Sequence, residues 1–297
     1  LGLVALLSLS SPAPAADPVV AAAGDIACDP GDRNFNGGIG ATLACRQKYT
    51  SDLLGGSRLP GVLALGDLQY EDATLGKFMA SYDSTWGRVK SITHPAVGNH
   101  DYATYGAGGY FDYFNGVGVQ TGPAGDRVGR GYYSFNIGAW HVISLNSNVD
   151  AAPGSPQYEW LQADLAASVS QCTLAYWHHP VFSSGPHGNQ PQMTAVFQLL
   201  HAAGVELVLA GHDHMYERFA PQDADGRADP ARGVLSFTVG TGGARLYSWR
   251  AVQPNSEYRD NSSYGVLRLT LAAGTFRWTF VRADGTTHDD GSADCRP

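Results

Sequence analysis

Short apolar runs that end at glycine or a polar residue recur along the chain and predict β-strands. Before residue 212 these runs lie at residues 18–23, 61–65, 92–97, 173–177 and 207–210. Apolar residues at helical spacing lie between the runs and predict four helices. The helices are expected at about residues 41–54, 72–86, 155–168 and 191–203, with Ser155 as the N-cap of the third.

Beyond residue 233 the signals are those of strands, at residues 234–239, 264–271 and 275–281, with Gly274 as a turn. A hairpin is predicted from residues 132–137 and 140–145 around Gly138. The stretch 103–131 is rich in glycine and tyrosine and is predicted to be a long loop. So long a loop in a compact domain usually serves function.

Composition bounds the size and the partners of the protein. Its 297 residues, 43% hydrophobic and 15% charged, suffice for one large domain or two small ones. We see no internal repeat, low-complexity tract or convincing linker, so a single domain is predicted over residues 17–297. The formal net charge is -8 and no run of lysine or arginine occurs. Because a nucleic-acid surface needs a basic patch, that partner is not expected.

Residues 1–16 are expected to be the remnant of a secretory signal peptide. Residues 1–10 form an apolar run too short to cross a bilayer, and Ala13-Pro14-Ala15 fits an A-x-A cleavage pattern. The basic start of such a peptide and an initial Met are missing, so we expect a truncated peptide; a frayed apolar tail is the alternative. No later stretch is long and apolar enough for a membrane helix, so the protein is expected to be secreted, periplasmic or at the cell surface.

The chain has four cysteines, and an even number in an exported chain suggests disulfides. None stands in a CxxC pair, which argues against a cysteine-rich zinc site. The sequence permits three pairings. We favour Cys28–Cys45, which closes a short polar loop, with Cys172–Cys295, which ties the C-terminus to a central strand.

Five predicted strands end in residues that can bind metal ions. These residues are Asp25, Asp67, Asn99, His178 and the pair His212 and His214. In mixed α/β sheets, ligands gather at the carboxyl ends of strands. A Gly-Asp after one strand is commonly only a turn, but five such endings are hard to explain as separate accidents. Their oxygen and nitrogen ligands suit two hard-to-borderline cations, and ions about 3.5–4 Å apart, bridged by a carboxylate such as Asp67, form a clamp for phosphoester hydrolysis.

Five segments carry this pattern in order: Gly24-Asp25, Gly66-Asp67-Leu68-Gln69-Tyr70, Gly98-Asn99-His100-Asp101, His178-His179-Pro180, and Gly211-His212-Asp213-His214-Met215-Tyr216-Glu217-Arg218. The ordered set, within residues 18–245, resembles the calcineurin-like metallophosphoesterase superfamily and, within it, the purple acid phosphatases. Most of the superfamily has Asp-x-His in the first segment, but here Asp25 is followed by Ile26-Ala27. The purple acid phosphatases also lack that histidine, and they have a tyrosine three residues after the second aspartate, where Tyr70 stands.

The resemblance implies a dinuclear centre with Fe(III) and a divalent ion, which would be Zn, Fe or Mn. It assigns seven ligands: Asp25, Tyr70 and His214 on one ion, Asn99, His178 and His212 on the other, and Asp67 as the bridge. His100 and His187 would be catalytic residues that contact the substrate phosphate and protonate the leaving group. His179 stands beside a ligand but occupies a position that is not a ligand in the family.

The resemblance also implies a fold and a reaction. The fold would be an α/β/β/α sandwich of two mixed β-sheets flanked by helices, in the short single-domain form. The protein would be an exported acid phosphatase that hydrolyses small phosphomonoesters by attack of a metal-bound hydroxide. A phosphodiesterase on the same scaffold is the alternative, and a non-catalytic binding protein is a third hypothesis. The sequence leaves the natural substrate, the second metal and the oligomeric state open.

Overall fold

Two mixed β-sheets form the body of the protein in the computed structural model, which describes residues 16–55 and 58–296. The expected signal-peptide remnant lies outside these residues, apart from Ala16. In chain order the strands are β1 (Val19–Ala23), β2 (Val62–Leu65), β3 (Thr93–Ala96), β4 (Thr121–Gly122), β5 (Gly125–Asp126), β6 (Tyr133–Ile137), β7 (Trp140–Ser144), β8 (Cys172–Tyr176), β9 (Leu207–Ala210), β10 (Tyr216–Phe219), β11 (Leu235–Val239), β12 (Ser256–Asp260), β13 (Gly265–Ala272), β14 (Thr275–Arg282) and β15 (Thr287–Asp294).

The helices are short. The α-helices of the described part are α1 (Gln47–Asp52), α2 (Leu75–Lys77), α3 (Gly108–Phe114), α4 (Pro156–Ala167) and α5 (Thr194–Ala202). A π-helical turn (Phe78–Tyr82) continues α2, and 3₁₀ segments occur at Asn36–Gly38, Trp86–Ile92, Asp101–Ala103, Tyr105–Ala107 and Pro191–Met193. Across residues 16–55 and 58–296, no helix has the length and apolar character that a membrane crossing needs.

Each sheet combines parallel and antiparallel strands. Sheet 1 has the strand order β15-β14-β13-β1-β2-β3, in which β1, β2 and β3 run parallel and β13 is antiparallel to β1. Sheet 2 has the order β12-β10-β11-β9-β8-β7-β6, in which β7, β8, β9 and β11 run parallel. The parallel strands bring their carboxyl ends to one edge of each sheet.

The sheets pack face to face with helices outside them. Successive side chains of a strand point to opposite faces, so Leu207 and Leu209 pack between the sheets while Val208 packs with Leu161 and Phe197 of α4 and α5. On the far side of sheet 1, Arg268 of β13 donates from Nη2 to the Leu53 carbonyl oxygen just after α1, at 2.8 Å. The expected order of helices, sheet, sheet and helices is confirmed.

The long loop predicted at residues 103–131 is wrong for its middle part, where α3 forms. This helix starts with two glycines, which disfavour a helix interior by about 1 kcal/mol each, so the local signal is weak. Tertiary packing compensates, because Tyr110 and Phe111 are buried in the main core. A Cβ on Gly109 would lie 2.0 Å from the Ala73 carbonyl oxygen, so this close approach needs glycine. Helix α1 is also shorter than predicted.

The favoured disulfide pairing is confirmed. Cys28 and Cys45 are bonded with a Cα–Cα distance of 5.3 Å, and Cys172 and Cys295 with 5.5 Å. Cys172 begins β8 in sheet 2, and Cys295 follows β15 in sheet 1. This second bridge therefore joins the two sheets and closes a loop between residues that are 123 apart in sequence.

We expect the second bridge to contribute more stability than the first. Loop entropy gives about 3 kcal/mol for a 15-residue loop and about 4.7 kcal/mol for a 100-residue loop. The paired change Cys172→Ser with Cys295→Ser should therefore lower the free energy of unfolding in urea more than Cys28→Ser with Cys45→Ser. Thiol titration of the denatured, unreduced wild type should find no thiol; two or more per chain would contradict the pairing.

Candidate metal centre

All seven residues predicted as metal ligands meet between the carboxyl ends of the parallel strands. Asp25 follows β1, Asp67 follows β2, and Asn99 comes three residues after the end of β3. On sheet 2, His178 follows β8 and His212 follows β9. Tyr70 and His214 lie a few residues further along the second and fifth of these connections. The strand topology therefore brings together side chains that are up to 189 residues apart.

Three of these side chains form a first group. The Tyr70 hydroxyl oxygen lies 2.9 Å from Asp25 Oδ1 and 2.9 Å from His214 Nε2. His214 Nε2 lies 3.3 Å from Asp25 Oδ1. Asp25 is fully buried, and Tyr70 and His214 nearly so.

Three others form a second group. His178 Nε2 lies 3.1 Å from Asn99 Oδ1 and 3.2 Å from His212 Nδ1. Asp67 lies between the groups, because its Oδ2 is 3.1 Å from His178 Nε2 and 3.3 Å from the Tyr70 hydroxyl oxygen. A single oxygen of Asp67 thus lies close to one ligand-type atom of each group.

The second group has too few protons for its close contacts. His178 Nδ1 is 2.9 Å from the Leu65 carbonyl oxygen, which can only accept, so in the neutral form of the ring it is Nδ1 that carries the proton. The lone pair of Nε2 then faces the oxygens of Asn99 and Asp67, which are also acceptors. A cation at this point would turn mutual repulsion into coordination, and these ligand types suit a borderline ion.

The first group has the same deficit. His214 Nδ1 donates to the Arg245 carbonyl oxygen at 2.7 Å, which leaves a lone pair on Nε2. Such a bond at the second nitrogen is the usual support of a metal-binding histidine. The Tyr70 hydroxyl then has one proton for Asp25, Asp67 and His214. The donor set of both groups therefore fits two metal ions.

The pKa values reflect this excess of negative charge. Burial opposes the charged form of His178, but the Asp67 carboxylate outweighs it and raises the pKa of His178 to about 9. Burial together with the charges of Asp25 and Asp67 raises the pKa of Tyr70 well above 10. Burial and the nearby Asp67 likewise raise the pKa of Asp101 to about 8. A phenolate at Tyr70 would thus need a strongly positive partner.

The backbone holds three of the predicted ligands in a sparsely populated conformation. Asp25, Asp67 and His212 have φ values of 59°, 49° and 71°, in the left-handed region that non-glycine residues rarely adopt. Such strain persists only where surrounding contacts impose it. Hydrogen bonds from the backbone supply such contacts here. Asp67 Oδ1 accepts from His100 N and Asp25 Oδ2 accepts from His212 N, both at 2.8 Å.

Each of the two predicted catalytic histidines lies beside a predicted ligand, His100 beside Tyr70 and His187 beside His212. His100 Nδ1 donates to the Glu71 carbonyl oxygen at 2.7 Å, and its ring centre is 4.4 Å from that of Tyr70. His187 Nδ1 is 2.8 Å from Asp213 Oδ1, and its ring centre is 4.2 Å from that of His212. The hydrogen bond to Asp213 raises the pKa of His187 above its usual value.

A cleft of about 250 Å³ opens over the first group. Tyr70, His100 and His214 line it, together with Glu71, Arg245 and Tyr247. The cleft gives a small molecule access to His100 and to the first group.

Two residues that shape the site, Asp213 and Tyr247, have no role predicted from the sequence. Asp213 is fully buried and holds both His187 and the Ser183 hydroxyl. Its position in the sequence, between the predicted ligands His212 and His214, could have indicated a role in the site. Tyr247 stacks on the His214 ring with centres 3.9 Å apart and planes 10° apart. No motif surrounds Tyr247, so only the fold reveals it.

Sequence comparison identifies the family. Residues 13–216 match the calcineurin-like phosphoesterase family, and residues 233–290 match the C-terminal family described as iron/zinc purple acid phosphatase-like protein C. The chain therefore belongs to the calcineurin-like phosphoesterases, and its second match lies in the purple acid phosphatase branch. The predicted resemblance is confirmed.

Individual relatives agree with this. The chain is 31% identical over 224 residues to purple acid phosphatase 21 of Arabidopsis thaliana, covering 69% of this chain and 49% of the relative. It is 28% identical over 243 residues to an acid phosphatase of Aspergillus ficuum, covering 60% of this chain and 39% of the relative. The chain thus spans about half the length, or less, of these curated relatives.

Solved structures share the fold. A purple acid phosphatase from yellow lupin (Lupinus luteus) seeds superposes with a TM-score of 0.76 at 18% identity, covering 93% of this chain and 53% of that one. GAP50, the anchor in the inner membrane complex of Plasmodium, superposes with a TM-score of 0.67 at 13% identity, covering 95% and 90%. The predicted metallophosphoesterase sandwich is confirmed by these matches.

Proposed function

We propose that this protein is a dinuclear metal-dependent phosphatase that hydrolyses small phosphomonoesters. One observation carries the proposal: two close groups of ligand-type atoms, short of protons, lie on either side of Asp67. Asp25, Tyr70 and His214 would hold one ion, Asn99, His178 and His212 the other, and Asp67 would bridge them. Membership of the phosphoesterase family supports the same reaction class.

Bound ions would supply two things: they lower the pKa of water towards about 7 and they neutralise phosphate oxygens. The residues of the chain do the rest. The Nδ1–H of His100 is tied to the Glu71 carbonyl oxygen, so its Nε2 is the atom free to contact a phosphoryl oxygen in the cleft. His187, fixed by Asp213 and next to His212, is the second proton donor. One of the two protonates the departing alkoxide.

The chain offers neither a free thiol nor a serine in a nucleophile elbow. All four cysteines are bonded in disulfides, and no Gly-x-Ser-x-Gly elbow occurs in the sequence. We therefore propose direct attack by water in one step, which inverts the configuration at phosphorus. Net retention with a chiral phosphate ester would indicate a phospho-enzyme and contradict this step.

The first group of ligands favours Fe(III), because its phenol and its carboxylate, together with the shared Asp67 carboxylate, are hard oxygen ligands. The second group, with more imidazole, favours a divalent ion such as Zn, Fe or Mn. The C-terminal match to an iron/zinc family supports this pairing.

If iron occupies the first group, the protein should be violet or pink, since a phenolate on ferric iron gives a visible charge-transfer band. Tyr70→Phe should abolish that band. Tyr247→Phe is the matched control and should keep the band. Tyr247 is not a predicted ligand, and a phenylalanine ring can still stack on His214. A band that survives in Tyr70→Phe would exclude Tyr70 as the ligand.

We also propose that the protein is exported. The two disulfides support an oxidising compartment. The fold also occurs in GAP50, the anchor in the inner membrane complex of Plasmodium, so a non-catalytic role is the alternative from another class. A complete set of seven ligand-type residues at close distances favours catalysis.

A paired assay tests the function. We expect the metal-loaded protein to hydrolyse p-nitrophenyl phosphate with a higher kcat/KM than bis(p-nitrophenyl) phosphate, and a chelator to abolish both activities. A preference for the diester would support the phosphodiesterase alternative instead. If both activities survive full metal removal, the metal-dependent mechanism is contradicted.

A further inference from the structure

Three imidazole rings, not two, meet at the second group of ligands. The ring centres of His178 and His179 are 4.9 Å apart, those of His179 and His212 are 4.3 Å apart, and those of His178 and His212 are 5.0 Å apart. One ring nitrogen of each lies within 4.8 Å of the corresponding atoms of the other two. The rings thus form a nearly equilateral triangle.

The local backbone explains how neighbouring residues reach the same point. Adjacent side chains of a strand point to opposite faces, but β8 ends at Tyr176 and the chain turns at His178 and His179. The Trp177 indole N–H donates to the His179 carbonyl oxygen at 2.7 Å and fixes this turn. Both rings are therefore directed towards His212, and both are buried.

Ser147 supports the His179 ring in the way that a ligand is supported. Its Oγ lies 2.8 Å from His179 Nδ1 and accepts the His179 backbone N–H at 3.0 Å. A metal-binding histidine regularly donates its other ring N–H to a nearby oxygen. If Nδ1–H donates to Ser147, the lone pair of His179 Nε2 is available, and this nitrogen makes no hydrogen bond to any residue of the described part.

The spacing matches three imidazoles on one ion. With metal–nitrogen bonds of about 2.0–2.1 Å, two rings on one ion have centres about 4.5 Å apart when the angle between the two bonds is a right angle, and about 5.2 Å apart when that angle is tetrahedral. The observed separations of 4.3, 4.9 and 5.0 Å are close to this range. We infer that His179 is a third imidazole ligand of the ion held by Asn99, His178 and His212. This inference rests on the dinuclear centre proposed above.

The consequence is an asymmetric centre. The first group would bind through two carboxylates, a phenol and one imidazole, whereas the second would bind through three imidazoles, an amide and the shared carboxylate. Imidazole-rich sites suit Zn²⁺ or Fe²⁺ better than Mn²⁺, which prefers oxygen ligands. The third ring would therefore bias the second site towards Zn²⁺ or Fe²⁺ and away from Mn²⁺.

A direct test is whether His179 is bonded to the metal. The wild-type protein, labelled with ¹⁵N in histidine, is loaded with ¹¹³Cd in place of its own ions. We expect a one-bond scalar coupling between ¹¹³Cd and the His179 Nε2, with the signal assigned by its loss in His179→Ala. A coupled signal for His178 and His212 but none for His179 would overturn the inference while leaving the dinuclear proposal intact.

Zinc affinity gives a second readout that needs no catalysis. Zinc binding is titrated against a competing chelator. The more weakly bound of the two zinc ions should dissociate at least tenfold more readily from His179→Ala than from the wild type, as expected for loss of support at a metal site. His201→Ala is the matched control, because its ring pairs with Asp229 and belongs to no ligand group. Equal zinc affinities in His179→Ala and wild type would contradict the inference. A wild type that binds no zinc would defeat the proposed centre itself.

Discussion

Asp67→Asn is expected to lower kcat by about a hundredfold to a thousandfold, comparable to the loss of a major transition-state contact, and to weaken both metal sites. Asp67 Oδ2 contacts both groups of ligands, and Oδ1 accepts the His100 backbone N–H at 2.8 Å. An asparagine amide must therefore direct its NH₂ either at a backbone N–H or at the metal position. Either orientation replaces an attraction with a repulsion.

The measurement is kcat for p-nitrophenyl phosphate together with metal content after dialysis. Asp225→Asn is a suitable control, since Asp225 is largely exposed and pairs with Arg227 away from the centre. It should retain wild-type values. An Asp67→Asn protein with full metal content and unchanged kcat would show that Asp67 is not the bridge.

His100→Ala is expected to lower kcat for substrates with poor leaving groups by about a hundredfold to ten-thousandfold, the usual contribution of a positioned acid or base. The loss should be much smaller for p-nitrophenyl phosphate, because nitrophenolate departs without a proton. The structure favours His100 for this role, since its Nδ1 is tied to the Glu71 carbonyl oxygen and its ring lines the cleft.

A comparison of alkyl and nitrophenyl phosphates in the same variant gives the readout. His187→Ala is measured in parallel, because His187 is the other candidate proton donor. If His100→Ala lowers kcat equally for both substrates, His100 binds phosphate without protonating the leaving group. If only His187→Ala shows the leaving-group dependence, the acid is His187.

The positions of the predicted ligands could be found from the sequence because two local signals coincide there. Strand periodicity located the ends of β1, β2, β3, β8 and β9, and a metal-binding residue type follows each end. Parallel topology then brings these ends together, which the structure realises with distances of 2.9–3.3 Å within each group. The ordering of the motifs supplied the family.

Other features depend on contacts that a sequence pattern does not encode. Helix α3 begins with two glycines and forms because Tyr110 and Phe111 are buried against the core. Tyr247 reaches His214 only through the fold, since the two are 33 residues apart and share no motif. The turn that directs His179 towards His212 depends on the Trp177 indole and on Ser147, from a separate strand connection.

Buried carboxylates next to the predicted ligands fix the geometry of the site through hydrogen bonds. Asp213 and Asp101 are fully buried; Asp213 accepts a hydrogen bond from the His187 ring, and Asp101 accepts the backbone N–H groups of Leu68 and Gly98, the neighbours of Asp67 and Asn99. Sequence position hinted at both, because each is adjacent to a predicted site residue. Their roles follow from distance, which only the structure gives.

Elemental analysis of the active protein tests the central claim most directly. The wild type, purified without added chelator and assayed for p-nitrophenyl phosphate hydrolysis, should contain two metal ions per chain, and activity should fall in proportion as they are removed. An active protein that contains one metal ion or none would contradict the dinuclear centre.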